Sequence, residues 1–304
     1  MKIMRRARTL LRLIREKKFK KILRVVYYEL LCGIYRILPH DGVKVVEENW
    51  DYLIILDACR YDVFKELNTI PGKLEKKISL GSSTPEWLKK NFDGYYEDIV
   101  YVSANPRISH VEFDGFKGTD HFYKVENVWD YGWREDLGTV PPEEVTKAAI
   151  RVKEKYPDKR LIIHYIQPHA PWIGDTKLTA KELNLFFSTA TEWVIKARQR
   201  GIWEVIEEGH IDLEFIKRAY RDNLRLVLNE VKKLVQNLEG KIVITSDHGE
   251  CFGEKFVIEH PTGIYIKELV EVPWLIVEKP KRIETFEKRE IKNVVYKLKS
   301  KRRI

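Results

Sequence analysis

Short apolar runs, each bounded by polar residues, recur along the middle of this 304-residue chain. The first is "DYLIIL" (51–56), and a run of that length with polar edges reads as a buried strand. "KKISLG" (76–81), "DIVYVSANP" (98–106), "RLIIHYI" (160–166), "KIVITS" (241–246) and "VPWLIV" (272–277) repeat the pattern. Between them the apolar spacing lengthens to that of helices. "DVFKELN" (62–68) is closed by "IPG", and "PPEEVTKAAIRVKEKY" (141–156) opens on prolines and acids, as helix starts do. In "SSTPEWLKKNF", Ser82, Ser83 and Thr84 offer N-caps, Pro85 suits the first turn, and Ser83 with Glu86 forms a capping box. Residues 179–239 read as mainly helical, with Gly240 as the stop signal. Strands alternating with helices predict an α/β domain with a largely parallel sheet, and in such sheets chemistry gathers at the carboxyl ends of the strands.

Charge divides the chain. Residues 1–40 carry twelve Lys and Arg against Glu16 and Glu29, a net +10. Residues 279–304 carry eleven against three glutamates, a net +8, so the total of +9 leaves −9 for the body between them. The boundaries expected are a basic amphipathic arm at 1–45, a catalytic domain at 46–280 and a basic tail at 281–304. The first arm has no clean apolar stretch and no small-residue cleavage site, so it is not read as a signal peptide. Arg24, Glu29 and Arg36 interrupt the roughly 20 apolar residues that a spanning helix needs. Its leucines, isoleucines and valines recur among positive charges, which suits a helix on an anionic membrane surface, or one docked on the acidic body. Nucleic acid is a third candidate partner for a basic arm, but no recognition motif supports it. Cys32, Cys59 and Cys251 are odd in number and far apart, which favours a reducing compartment. The expected location is therefore cytoplasmic, with peripheral contact on the inner face of the membrane.

Polar clusters follow four of the predicted strands. Asp57 ends the first, Ser82, Ser83 and Thr84 follow the second, His169 follows "LIIHYI", and Asp247 with His248 follow "KIVITS". A parallel sheet brings all four to one edge. Two carboxylates, an imidazole and a hydroxyl at a helix start can hold a divalent cation. The cation lowers the pKa of the hydroxyl, and the helix N-terminus favours an incoming anion. That set suits attack on a phosphorus or sulfur ester. Taken singly, each cluster also fits a turn or a cap.

"LIILDACRYD", "YIQPHAPW", "YRDNLRLVLNEVKKL" and "SDHGECFGE…HPTGIYIKELVEVPWLIV" resemble, in order and over residues 50–280, the sulfatase-like branch of the alkaline phosphatase superfamily. The resemblance implies a three-layer α/β/α sandwich and metal-assisted hydrolysis or transfer through a covalently modified nucleophile. It implies that Asp57, Asp247 and His248 bind the metal. It puts the nucleophile in a nucleophile-x-Pro arrangement, which selects Ser83, with Thr84 as rival and Ser82 behind both. His169 and His260 match positions that contact the transferred group or a second metal, and Arg60, close behind the first acid, is expected to steady the substrate anion. The Cys-x-Pro-Ser-Arg of authentic sulfatases is absent, and Ala58 stands where a second acid is usual.

The reading that follows is a metal-dependent hydrolase or transferase of phosphate esters, on lipid-linked or glycan substrates, using one divalent ion (Mn²⁺, Zn²⁺, Mg²⁺ or Ca²⁺) with a second as an option. A sulfuric ester hydrolase with a non-cysteine nucleophile and a non-catalytic binding protein are the alternatives. No glycine-rich nucleotide loop is present.

Overall fold

A computed structural model describes residues 19–179 and 212–280. Most of the helical stretch expected at 179–239 before residue 212, the first 18 residues and the tail from 281 lie outside the described residues.

The apolar runs form the strands they predict. β1 (Tyr52–Leu56), β3 (Tyr96–Ser103), β5 (Arg160–Tyr165), β6 (Gly240–Thr245) and β9 (Glu271–Lys279) join β2 (Lys73–Ile78) and β4 (Phe122–Asn127) in one sheet. The order is β2-β9-β6-β1-β5-β3-β4. Only β9 runs against the others, pairing antiparallel with β6 and β2. β1 is central and buried along its whole length, as an unbroken apolar run requires. β4 lies in the 105–140 region, for which no strand was expected, and pairs parallel with β3 at the sheet edge.

Each face of the sheet has its own core. On one, Ile54, Leu56, Val102 and Ile163 pack with α4 (Val128–Gly132), α5 (Pro142–Lys155) and α6 (Leu213–Gln236) through Val128, Val145, Ala149, Leu224 and Val231. Here α2 (Tyr61–Leu67) adds Phe64. On the other face, Leu53, Ile55, Tyr101 and Val243 meet Trp87 and Leu88 of α3 (Thr84–Asn91). Helix, sheet and helix are thus the three layers expected.

α1 (Phe19–Ile37) lies on this body, through Tyr27, Tyr28, Leu31, Cys32 and Tyr35. They pack against Cys251, Val257 and Ile264, in the segment that includes the short hairpin β7 (Cys251–Phe252) and β8 (Ile258–Glu259), and against Leu269 of α7 (Lys267–Val270).

The capping of α3 departs from the expected box. Ser83 is the N-cap, but its side chain makes no capping bond. Glu86 instead accepts from the Ser82 backbone N–H at 3.0 Å and from the Ser82 hydroxyl at 3.1 Å. The reason is tertiary: Ser83 Oγ lies 2.7 Å from Thr262 Oγ1, a partner 179 residues away.

Candidate metal centre

Because β1, β2, β5 and β6 run in one direction, their following loops meet at one edge of the sheet. Two glycines set the local path. A Cβ on Gly249 would stand 2.1 Å from the Glu268 carbonyl oxygen, and a Cβ on Gly81 would stand 2.4 Å from the Trp87 nitrogen. Only glycine fits either place. The Gly249 N–H also donates to the Leu269 carbonyl at 2.8 Å, which fixes the turn carrying Asp247 and His248. The Ser246 hydroxyl lies 2.5 Å from the carbonyls of both Leu56 and His248 and accepts from the Cys59 N–H at 2.8 Å, tying the β1 and β6 loops together.

Asp57, Asp247 and His248 converge there, all buried, with one ligand atom from each within 4.8 Å of the others. His248 Nε2 lies 3.3 Å from Asp247 Oδ2 and 3.7 Å from Asp57 Oδ1. His248 Nδ1 donates to the Gly249 carbonyl at 2.8 Å, so Nε2 presents its lone pair to the carboxylates. Asp57 Oδ1 is buried without a hydrogen-bond partner. Two enclosed carboxylates, an imidazole lone pair and an orphaned carboxylate oxygen are a donor set short of positive charge, and a divalent cation fits it.

Thr84 completes the cluster. Its hydroxyl donates to Asp247 Oδ2 at 2.8 Å and lies 3.3 Å from His248 Nε2, at the first residue of α3. Of the three hydroxyls the sequence offers, Ser82 is held by Glu86 and the Pro261 carbonyl, and Ser83 by Thr262. The structure therefore brings Thr84, rather than Ser83, among the candidate ligands.

His169, Glu250 and His260 form a second group with metal-ligand spacing. The His260 ring lies 4.5 Å from that of His248 and 5.1 Å from that of His169. His260 Nδ1 faces both Glu250 carboxylate oxygens at 3.2 Å, and His169 Nδ1 donates to the Ala170 carbonyl at 2.6 Å.

Burial pushes the Asp57 carboxyl up, but the neighbouring His164, His169 and His248 rings outweigh it and hold it well below the usual carboxylate range. Burial pushes Glu250 up to about 7. Burial, reinforced by His169, pushes His260 down to about 3. Burial also pulls His169 down, but Asp57 and Glu250 reverse that and raise it.

Arg60 reaches the edge of the second group, where its guanidinium donates to the Glu250 carbonyl at 3.2 Å. Its guanidinium is committed to Asp62 at 2.7 Å and to Glu254 at 2.5 Å, and it lies 5.5 Å from the Phe252 ring centroid. Three residues escaped the sequence reading. Asn105 Nδ2 donates to Asp57 Oδ2 at 2.7 Å, His164 Nε2 lies 3.4 Å from the same oxygen, and Glu250 supports His260. An imidazole inside "LIIHYI" and an acid ending "SDHGE" were visible signals. Nothing in the sequence marked Asn105.

No protein-family model matches the chain, and no curated protein matches it. Solved structures do. The soluble domain of lipooligosaccharide phosphoethanolamine transferase A from Neisseria meningitidis is 15% identical over 74% of this chain and 75% of that one, with a TM-score of 0.46. The C-terminal periplasmic domain of EcEptC from Escherichia coli, in complex with zinc, is 12% identical over 79% and 75%, with a TM-score of 0.47. Phosphonate monoester hydrolase of Agrobacterium radiobacter is 14% identical over 75% and 67%, with a TM-score of 0.46. These neighbours are sulfatase-like members of the alkaline phosphatase superfamily. That is the family the motifs resemble. At such identities and scores the likeness carries no argument about activity, which rests on the side chains above.

The cytoplasmic location expected from the cysteines is corrected. Similar structures are described as soluble and periplasmic domains, which does not support a cytoplasmic placement on the inner face of a membrane. The physical flaw is that Cys59 and Cys251 are buried, with burial pushing both thiols up. Such thiols behave as small apolar side chains in any compartment, so their number says little about redox conditions.

Proposed function

We propose that this chain is a metal-dependent enzyme that cleaves or transfers a phosphate ester through Thr84. The observation that carries the reading is the Thr84 hydroxyl within reach of Asp247 and His248, at the N-terminus of α3. Asp57, Asp247 and His248 hold one divalent ion, with His169, Glu250 and His260 available for a second. A bound ion supplies positive charge that favours the ionised hydroxyl and neutralises the incoming anion.

The chain's own residues account for the rest. Thr84 Oγ1 forms the new bond to phosphorus as the bond to the leaving oxygen breaks. Its proton passes to Asp247 Oδ2, which already accepts it. With no ion on the second group, His169 supplies the proton for the leaving oxygen. The end of α3 directs backbone N–H groups at the phosphoryl oxygens. Water or an alcohol then attacks phosphorus and gives its proton to His169; the Thr84 Oγ1–P bond breaks as Asp247 returns its proton to Thr84, which makes the enzyme a hydrolase or a transferase. The substrate class we propose is a phospho-alcohol ester on a lipid or glycan carrier, outside the cytoplasm.

The test is turnover of p-nitrophenyl phosphate, bis-p-nitrophenyl phosphate and p-nitrophenyl sulfate after chelation and add-back of Mn²⁺, Zn²⁺, Mg²⁺ or Ca²⁺. Metal-restored cleavage of a phosphate ester, with phosphate trapped on Thr84 by mass spectrometry, supports the reading. Faster sulfate cleavage, or phosphate trapped on Ser83, overturns it.

A further inference from the structure

We infer that α1 is a membrane-docking surface, with one face holding the body of the protein and the other lying in an anionic bilayer. This goes beyond the proposed reaction and does not depend on it.

The helix has two apolar faces. Tyr27, Tyr28, Leu31 and Tyr35 face the body. Phe19, Leu23, Val26, Leu30, Ile34 and Ile37 recur at steps of four, three, four, four and three residues, and so share one line along the opposite side. All six are exposed, from 45% at Val26 to 85% at Ile37. A solvated helix face carries charges; this line carries none. A second helix has no claim on it among the described residues.

Charge selects the occupant. Helix α1 contains four basic residues against Glu29, and the 18 residues before it contain eight more against Glu16. A second copy of α1 laid against this line would bring the same excess and repel. An anionic lipid surface neutralises it, adding about 1 kcal/mol per basic residue near the headgroups. Apolar burial of the line supplies the other half of the pair that stable interfacial binding needs. No described helix is long and apolar enough to cross a membrane, so α1 lies along the surface.

The arrangement also orients the candidate site. Tyr27 and Tyr28 donate to the carbonyls of Lys255 and Ile258, and Cys32 Sγ to that of Thr262. Those residues flank His260, so the segment carrying this histidine is held by the helix that meets the bilayer. Phe256, 83% exposed, stands on the same segment next to the residue that Tyr27 holds.

The experiment is co-sedimentation of the full chain with vesicles of phosphatidylcholine alone or with 30% phosphatidylglycerol, in roughly physiological and high salt. The wild type should bind the anionic vesicles, lose at least tenfold in affinity in the doubly substituted Leu23→Glu, Leu30→Glu chain, and weaken in high salt. Tyr95→Glu, a change at an exposed aromatic residue off the helix, should bind as the wild type does. The double variant should keep soluble p-nitrophenyl ester turnover, which separates failure of docking from failure of the proposed chemistry. Unchanged vesicle binding in the double variant, equal binding to neutral vesicles, or a wild-type dimer that this variant dissociates would overturn the inference.

Discussion

Thr84 Oγ1 donates a 2.8 Å hydrogen bond to Asp247 Oδ2 across 163 residues of chain. That bond places a hydroxyl against the carboxylate and imidazole best suited to ionise it. Ser83, one residue earlier and in the position the x-Pro spacing favours, turns instead to Thr262. Thr84→Val should therefore lower ester turnover by about a thousandfold or more, as loss of a nucleophile does. Thr84→Ser should retain measurable activity. Ser83→Ala loses one neutral hydrogen bond, worth about 1 kcal/mol, and should stay within about fivefold of the wild type. Steady-state kinetics on the best p-nitrophenyl ester checks all three, and a Ser83→Ala rate as low as that of Thr84→Val would reverse the assignment.

The orphaned Asp57 oxygen implies that the folded chain gains stability from a cation. At a free metal concentration a hundred times Kd, single-site binding should add about 2.7 kcal/mol to unfolding. Thermal melts with and without chelator measure it. Asp57→Asn and Asp247→Asn should shrink the metal-dependent rise in Tm, and equal rises in the wild type and both variants would place the ion elsewhere.

Gly249 leaves no room for a side chain, since its Cβ would meet the Glu268 carbonyl at 2.1 Å. Gly249→Ala should cost about 3 kcal/mol or more, at the upper end of single substitutions, because backbone must move. Chemical unfolding gives the number. Gly94, where nothing lies within 4 Å of an added Cβ, is the control and should accept Ala nearly neutrally.

Glu86 gives the fold an acid-sensitive contact. Burial pushes its carboxyl up, but the Ser82 N–H, the Tyr265 hydroxyl and Lys90 together hold it below its ordinary value. A carboxyl depressed in the folded state contributes stability above its unfolded pKa, and that contribution fades as pH falls through the folded value. Glu86→Gln should thus cost about 1 to 3 kcal/mol at pH 7 and progressively less toward pH 3. Urea titrations of both chains at the two pH values decide it, and a constant difference would mean that the carboxylate's charge contributes nothing.

The sequence by itself determined six of the seven strands of the main sheet, most of the helices and the edge of the sheet at which polar residues collect. Those features are local: an apolar run such as "DYLIIL" must be buried wherever it lies, and parallel strands put their following loops at one end. It also brought forward Asp57, Asp247 and His248, because acids and an imidazole that close apolar strands are conspicuous. Tertiary structure decided what local pattern leaves open. The partners of Ser83 and Thr84 are Thr262 and Asp247, each more than 160 residues away. Arg60 sits close in sequence to Asp57, yet Asp62 and Glu254 claim its guanidinium. Asn105 enters only because the end of β3 lies two strands from β1. Both faces of α1 are apolar, and only docking separates the one that the body buries from the one left exposed. Spacing along a chain encodes which side a residue takes, whereas its partner is set by how distant segments pack.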